Sequence, residues 1–375
     1  MFTLFCSPFN RQVRRNIPCL ICTLMAILLI TASALAEGPP ADVLDKEHPK
    51  VKEVMKVQEE ATDSLMSYED ILGTATGLDE KGEVAVVVYV NQHGKDMSEI
   101  VRALPKKIKG VPMVVEITEP FHALIAKAKR GGVNHKAIQT PPIQLGTSGG
   151  WDYDLANGYC CGGTLGSLIQ VGGTQYILSN YHVFASDIVP GGNGRVAADG
   201  DPIIQPGLID VRCNAINAQS VATLVATRSL PGSNVDAAIA QVIPGMVRTD
   251  GAILEIGTIS AKTVGASIGQ PVKKSGRTTG LTRSTVSGLN ATVSVIYDSE
   301  CAGDTAFTKI FTGQIVIKNL GSSFIAAGDS GSLMVEDVTA NPGAVGLLFA
   351  GSGSAAIANP IGDVLTFFGA TMVGK

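Results

Sequence analysis

The strongest constraint on the fold of this chain is a pattern that begins near residue 151. From there onward, short runs rich in Val, Ile and Thr alternate with glycine-containing turns. Many short strands separated by turns predict a sandwich or a barrel, and composition cannot choose between the two. We therefore expect a mainly β domain over residues 151–375. The runs are 163–171, 175–179, 220–226, 237–242, 271–274, 284–295, 311–318, 332–335, 344–350 and 355–359.

The chain before this region has a different pattern. Residues 41–66 are charged, with apolar side chains at helical spacing, and predict a surface helix. Apolar runs at 84–90 and 111–117 flank a helical stretch at 97–104, which predicts a small β-α-β unit. We expect these elements to form an α+β accessory domain or pro-domain over residues 37–130.

A linker is predicted between the two regions. It contains a Gly-Gly pair at 131–132, a Pro-Pro pair at 141–142 and a second Gly-Gly pair at 149–150. Glycine and proline at this density mark turns and loops. The sequence therefore places a linker over 131–150, and exposed segments of this kind are where proteolysis concentrates.

The first residues have the pattern of an export signal. Arg11, Arg14 and Arg15 precede an apolar run over 17–36 that ends in Ala-Leu-Ala. This arrangement is typical of a secretory signal peptide, here residues 1–36, and predicts a periplasmic or extracellular protein. The run is also nearly long enough to cross a bilayer, so an uncleaved membrane anchor stays open.

Four cysteines lie beyond the signal: Cys160, Cys161, Cys213 and Cys301. An even number in an exported protein suggests disulfides, and adjacent cysteines bond to each other only with strain. Two connectivities follow, in which Cys160 and Cys161 each reach one of the distant pair, and buried reduced thiols stay open as well. No Cys-x-x-Cys or paired His spacing indicates a metal, and the net charge of −4 gives no sign of nucleic-acid binding.

A Gly-Asp-Ser-Gly-Ser motif stands at residues 328–332, with Ser330 as a candidate nucleophile. A serine hydroxyl becomes nucleophilic when a neighbouring base takes its proton and a third group holds that base. His182 and Asp236 are the candidate partners. The order His, Asp, Ser differs from that of α/β-hydrolases and of subtilisins. No histidine follows residue 182, which excludes hydrolases whose base comes after the serine.

These motifs resemble those of the chymotrypsin/trypsin-like serine peptidases, and more closely the bacterial branch with an N-terminal accessory domain. The resemblance covers about residues 146–375. His182 stands in a variant of the family's Ala-Ala-His-Cys, with valine at the cysteine position, and Asp236 heads Asp-Ala-Ala-Ile-Ala. The resemblance implies a chymotrypsin-like double β-barrel with the active site in the cleft. The expected barrels span about 155–245 and 255–375.

The resemblance also implies a role for each site residue. His182 would act as general base and then as general acid, while Asp236 would fix its tautomer. The backbone N–H groups of Gly328 and Ser330 would form an oxyanion hole, because glycines in such a turn let two N–H groups converge. The residues expected to bind substrate, with a preference for small or apolar side chains, are Phe324, Ile325, Phe349, Ala350 and Gly351.

Asp329 lacks one partner that the family often supplies. In many members the matching aspartate pairs with a new N-terminus released by activation cleavage, but no Ile-Val-Gly-Gly start follows a basic residue here. We therefore expect Asp329 to bond to internal groups. The segment 274–280 is expected to form a β-turn scaffold rather than a phosphate loop, because its lysine precedes its glycines.

Together these features predict an exported serine endopeptidase that works through an acyl-enzyme, without metal or cofactor. Its expected partner is a protein or peptide substrate, with no nucleic acid, and with a membrane only if the N-terminal segment is not cleaved. Two alternatives stay open: a catalytically silent peptide-binding pseudoprotease and a membrane-tethered protein quality-control protease. The accessory domain is expected either to restrain the enzyme or to be a permanent part for folding or docking.

Overall fold

Strands dominate the protein, as the glycine-punctuated pattern predicts. The computed structural model describes residues 43–123, 134–156, 159–185, 196–227, 229–297 and 306–375. The helices in these ranges are α1 (Pro49–Met66), α2 (Met97–Ala103), α3 (Tyr181–Phe184) and α4 (Ile361–Phe368), with 3-10 turns at Leu208–Asp210, Ala215–Asn217 and Leu320–Ser322. Within the described ranges, none of these helices has the length and apolarity needed to cross a membrane. The predicted signal, residues 1–36, lies outside the described residues.

The strands form two main sheets. In chain order they are β1 (Ile71–Leu78), β2 (Val84–Asn91), β3 (Lys107–Ile108), β4 (Val111–Thr118), β5 (Phe121–Ala123), β6 (Thr147–Trp151), β7 (Leu155–Ala156), β8 (Tyr159–Cys160), β9 (Gly163–Leu165), β10 (Ser167–Val171), β11 (Thr174–Ser179), β12 (Pro202–Gln205), β13 (Gln219–Val225), β14 (Ala238–Val242), β15 (Ala252–Ile253), β16 (Gly257–Thr258), β17 (Pro271–Gly276), β18 (Gly280–Tyr297), β19 (Phe307–Lys318), β20 (Leu333–Glu336), β21 (Ala344–Gly351), β22 (Ala355–Pro360) and β23 (Thr371–Met372). The larger sheet has the order β17-β20-β21-β22-β19-β18-β1-β2-β4-β3, with β5 against β18 and β21. The smaller sheet has the order β23-β10-β11-β14-β13-β12-β6-β9.

The N-terminal strands belong to the larger sheet. β2, α2 and β4 form the predicted β-α-β unit, with β2 and β4 parallel. However, β1 pairs antiparallel with both β2 and β18, and Val43–Lys375 form one compact unit. The described part of the predicted accessory domain over 37–130 therefore shares one sheet with strands from later in the chain. Backbone groups on both edges of a strand need partners, and the sequence cannot show that one edge of β1 pairs with a strand far along the chain.

The second half of the predicted linker over 131–150 packs against later parts of the chain. Ile143 and Leu145 are buried and form isolated bridges with later residues, and the chain continues directly into β6. A Cβ on Gly149 would lie 2.4 Å from Leu165 Cγ, so this glycine allows close packing of two strands. Composition alone cannot separate that use of glycine from flexibility. The Gly-Gly pair at 131–132 lies outside the described residues.

Helix α1 packs on the larger sheet through the predicted apolar face. Pro49 stands at its start, where a missing N–H leaves no helix hydrogen bond unmade. Val54 and Leu65 are buried on that face, and burial of such a side chain contributes ~1.5–3 kcal/mol. The buried Gln58 amide donates to Thr74 Oγ1 in β1 over 3.0 Å. The helix therefore stabilises the N-terminal strands where they join β18.

One cysteine pair is defined by the structure. Cys160 and Cys213 form a disulfide, and Cys161 is also disulfide-bonded. Cys301 lies outside the described residues. The prediction that Cys160 bonds to one of the two distant cysteines is confirmed, and reduced thiols are excluded for these three residues.

Candidate active site

His182 and Asp236 are brought together by strand pairing in the smaller sheet. β11 pairs antiparallel with β14, with Ser179 opposite Ala238. His182 lies in α3, directly after β11, and Asp236 lies just before β14. The Asn180 amide between them donates to the Asp236 carbonyl over 2.7 Å. The register of two adjacent strands therefore places both side chains at the same edge of the sheet.

The carboxylate of Asp236 holds the imidazole of His182. His182 Nδ1 lies 2.6 Å from Asp236 Oδ2, while Oδ1 accepts from the backbone N–H groups of Tyr181 (2.7 Å) and His182 (3.3 Å). Both side chains are buried. A carboxylate can only accept, so Nδ1 carries the proton of a neutral ring. Nε2 is then the free base of that ring, as a general base requires.

Tyr297 also contacts this pair, and sequence reasoning missed it. Its hydroxyl donates to Asp236 Oδ2 over 2.8 Å, and its ring meets that of His182 edge-on. Burial raises the pKa of Tyr297 well above its usual value, and the Asp236 carboxylate raises it further. Tyr297 is the last residue of a strand predicted only as a Val/Ile/Thr run. No motif marks it.

Ser330 lies in a turn that approaches α3 across β9. A Cβ on Gly163 would lie 2.7 Å from Val183 Cγ2 and 2.9 Å from the Ser330 carbonyl oxygen, so β9 separates the two by a single backbone. Thr164 of β9 donates its N–H to the Ser330 carbonyl and its hydroxyl to the Gly328 carbonyl, both over 2.9 Å. These contacts fix the serine turn against the sheet that carries His182.

The turn has the backbone geometry that its glycines permit. Gly328 and Gly331 have φ of 93° and 90°, in the region that favours glycine. The Ser330 hydroxyl donates to the Phe349 carbonyl over 3.2 Å, and His182 Nε2 has no hydrogen-bond partner among the described residues. The Asp236–His182 contact is thus formed, whereas Ser330 Oγ is directed to Phe349 rather than to His182.

Asp329 is satisfied by internal groups, which confirms the prediction for this residue. Its carboxylate accepts from the N–H groups of Thr278 (2.8 Å) and Ala326 (3.0 Å) and from the Thr279 hydroxyl (2.7 Å). Lys274 Nζ lies 3.3 Å away and is fully buried. Burial lowers the pKa of Lys274, and the Asp329 carboxylate partly offsets that effect. Segment 274–280 contains the hairpin turn between β17 and β18, as predicted. Its residues Lys274, Thr278 and Thr279 contact the Asp329 carboxylate and so hold the serine turn.

The five residues expected to bind substrate are buried. Phe349, Ala350 and Gly351 lie in β21, and all five candidates are buried. A Cβ on Gly351 would lie 3.1 Å from Ile325 Cδ1, so the Gly351 backbone packs on that side chain. Phe324 is fully buried. Phe349 and Ala350 pack in one core cluster and Phe324 and Ile325 in another, and Phe349 contacts Ser330 through its carbonyl.

The strand that covers β21 comes from the N-terminal segment. In β5, Ala123 pairs antiparallel with Ala350, and His122 pairs with Gly351. The other edge of β5 pairs with β18. Phe121 is fully buried and meets Tyr89 edge-on at 5.6 Å. β5 is too short for the sequence pattern to reveal it, and its partner strands lie far along the chain.

The topology confirms the predicted mainly β fold, with His182 and Asp236 on one sheet and Ser330 on the other.

No family model and no curated protein matches the chain. Several solved bacterial chymotrypsin-like serine proteases are similar to it in fold. A glutamic-acid-specific serine protease is 18% identical over 61% of this chain and 100% of its own, with a TM-score of 0.40. Thermobifida fusca protease A is 19% identical over 62% and 99%, with a TM-score of 0.41. Cellulomonas bogoriensis chymotrypsin is 19% identical over 62% and 99%, with a TM-score of 0.37.

Proposed function

We propose that this protein is an exported serine endopeptidase with His182, Asp236 and Ser330 as its catalytic residues. The observation that carries the proposal is the buried contact between Asp236 Oδ2 and His182 Nδ1, on a segment that a single strand, β9, separates from the glycine-rich serine turn. Export is supported by the signal-like sequence of residues 1–36 and by the Cys160–Cys213 disulfide.

In this mechanism, Ser330 Oγ attacks the substrate carbonyl carbon while His182 Nε2 takes its proton. The tetrahedral oxyanion is stabilised by the backbone N–H groups of Gly328 and Ser330. The imidazolium, held by Asp236, then protonates the leaving amine, and the C–N bond breaks to leave an acyl-enzyme. Water, deprotonated by the same histidine, releases the acid product and restores Ser330. Attack requires Ser330 Oγ to turn from the Phe349 carbonyl toward Nε2.

We infer further that β5 restrains the enzyme by occupying the edge of β21 on which a peptide would lie. An extended peptide binds a sheet edge through main-chain hydrogen bonds, and β5 already pairs with Ala350 and Gly351 in this way. Because the segment is covalently attached, its effective concentration is in the millimolar range or above. The shared sheet of β1 and β18 also supports a permanent structural role for the strands before β5.

A catalytically silent peptide-binding protein is the second candidate. It is favoured by one observation: Ser330 Oγ donates to the Phe349 carbonyl, and Nε2 of His182 has no partner among the described residues. A silent protein would keep this arrangement when β5 leaves, whereas an enzyme would not.

Covalent labelling separates the two candidates. We expect a fluorophosphonate probe to label the purified protein at Ser330, as mapped by peptide mass spectrometry, and to label it faster when β5 is loosened by His122→Pro. Ser330→Ala should remove the adduct in both backgrounds. Complete absence of labelling in the His122→Pro protein, with folding intact by circular dichroism, would favour the silent binding protein.

A further inference from the structure

The hydroxyl of Tyr297 connects the larger sheet to the carboxylate of the proposed triad. Tyr297 ends β18 in the larger sheet, whereas Asp236 and His182 belong to the smaller one. Tyr297 is buried, and its hydroxyl lies 2.8 Å from Asp236 Oδ2. The same oxygen accepts from His182 Nδ1 over 2.6 Å. One oxygen of the Asp236 carboxylate therefore accepts hydrogen bonds from both the phenol and the imidazole.

The hydrogen bonds of Asp236 come from two directions. Oδ1 is held by backbone N–H groups of Tyr181 and His182, which move with α3. Oδ2 receives Tyr297 from the opposite sheet. Two donors on one oxygen and two on the other fix both the position and the rotation of the carboxylate plane. Without the phenol, rotation of the Asp236 carboxylate would be restrained only by donors in α3.

The phenol itself is held firmly. Its ring stacks on Phe307 with centroids 4.6 Å apart and planes 3° from parallel, and Phe307 is also its partner in the β18–β19 register. On its other side, the ring meets the His182 ring edge-on at 5.9 Å. Aromatic pairs in such geometries contribute ~0.5–1.5 kcal/mol beyond burial. Tyr297 thus touches both members of the Asp236–His182 pair from a rigid position.

We propose that Tyr297 is a positioning residue for the reaction. It orients the Asp236 carboxylate and, through it, the His182 imidazole, and it does not touch the reacting atoms. The inference rests on the proposed function. It adds that the geometry of the base depends on the end of β18, a strand that also pairs with β1 and β5.

Tyr297→Phe tests the inference because it removes one hydroxyl and keeps both ring contacts. We expect the maximal rate of fluorophosphonate labelling to fall about 10- to 100-fold, as for loss of a hydrogen bond to a charged group. The probe concentration at half-maximal rate should stay unchanged, because Tyr297 is not among the residues expected to bind substrate. Tyr176 is a half-buried tyrosine in β11. Tyr176→Phe is the matched control, and its labelling rate should equal that of the parent protein. All variants are measured in full-length protein with and without His122→Pro.

A double-mutant cycle with Asp236→Asn distinguishes positioning from general destabilisation. If Tyr297 acts through Asp236, Tyr297→Phe should cost little more in the Asp236→Asn background. An equal loss in both backgrounds would overturn the inference, and so would an unchanged labelling rate in the single variant. In either case, labelling of Ser330 in the parent protein would leave the proposed function standing.

A spectroscopic measurement tests the inference even if no probe labels the protein. The proton on His182 Nδ1 can be followed by nuclear magnetic resonance in the full-length chain. We expect its chemical shift to move in Tyr297→Phe and to stay in place in Tyr176→Phe. An unmoved resonance in Tyr297→Phe would show that the phenol does not influence the Asp236–His182 hydrogen bond.

Discussion

The two sheets supply different parts of the site. The smaller sheet holds His182 and Asp236, whose mutual position follows from the β11–β14 register. Its strands all come from residues after 146. The larger sheet holds the Ser330 turn and β21, and it also includes β1 to β5. His182 and Asp236 are thus held together without the N-terminal strands, whereas the edge of β21 is covered by one of them, β5. We infer that the smaller sheet carries the proposed base, whereas the larger sheet carries both the proposed nucleophile and the strand that covers β21.

The largest effect should come from Ser330 and His182, the proposed nucleophile and base on the two sheets. We expect Ser330→Ala to abolish probe labelling and to lower peptidase turnover about a million-fold. His182→Ala should be nearly as damaging, and the double variant little worse, because such residues act as a unit. Turnover of an unstructured protein substrate is the measurement. Residual activity above about a thousandth of the parent rate in either variant would contradict the assignment.

The next effect concerns the larger sheet alone. Lys274→Met should lower the free energy of unfolding by about 3–5 kcal/mol, because Asp329 is left as a buried charge without its cation. Lys273→Met is the matched control: its ammonium donates to the Val338 carbonyl over 2.6 Å and lies 4.0 Å from Asp337, which is partly exposed. Urea unfolding should show a much smaller loss for Lys273→Met. Equal losses would mean that the Lys274–Asp329 pair does not anchor the serine turn.

A second stability test concerns the disulfide between Cys160 of β8 and Cys213, which lies outside both main sheets. We expect the double variant Cys160→Ala and Cys213→Ala to lose about 2–4 kcal/mol of stability, chiefly because the unfolded chain gains freedom. Ser330 is held by hydrogen bonds to Thr164 and Phe349, so we expect the labelling rate of the folded protein to be unchanged. Thermal unfolding and probe labelling of the same sample check both statements. A strong loss of labelling with unchanged stability would show that the bond shapes the site instead.

The smallest effect should come from β5. His122→Pro removes a backbone N–H in the middle of a strand with partners on both edges. We expect labelling of Ser330 to rise about fivefold or more, since one net backbone hydrogen bond contributes ~1 kcal/mol. His122→Ala keeps the backbone pairing and is the control. If both variants label at the parent rate, β5 does not restrain access to Ser330, and the permanent structural role is favoured.

The comparison also shows where sequence reasoning succeeded and where it failed. The β-α-β unit was predictable because its apolar runs are long and its helix is local. Its place in the sheet was not, since edge pairing of β1 with β18 leaves no local pattern. The sequence predicts that Gly149 is part of a linker, whereas in the structure it permits close packing on Leu165. The sequence predicts that Asp329 bonds to internal groups, but only the fold shows that Lys274 is one of them.

By itself, the sequence determined the mainly β character, the order of the His, Asp and Ser motifs and the glycines that shape the serine turn. Each of these depends on neighbouring residues: alternating apolar runs, a short motif, or a backbone angle that only glycine adopts easily. The tertiary structure alone decided that β5 lies on Ala350 and Gly351 and that Tyr297 reaches Asp236. Both contacts join residues far apart in the chain, and hydrogen bonds between such residues depend on how the sheets pack.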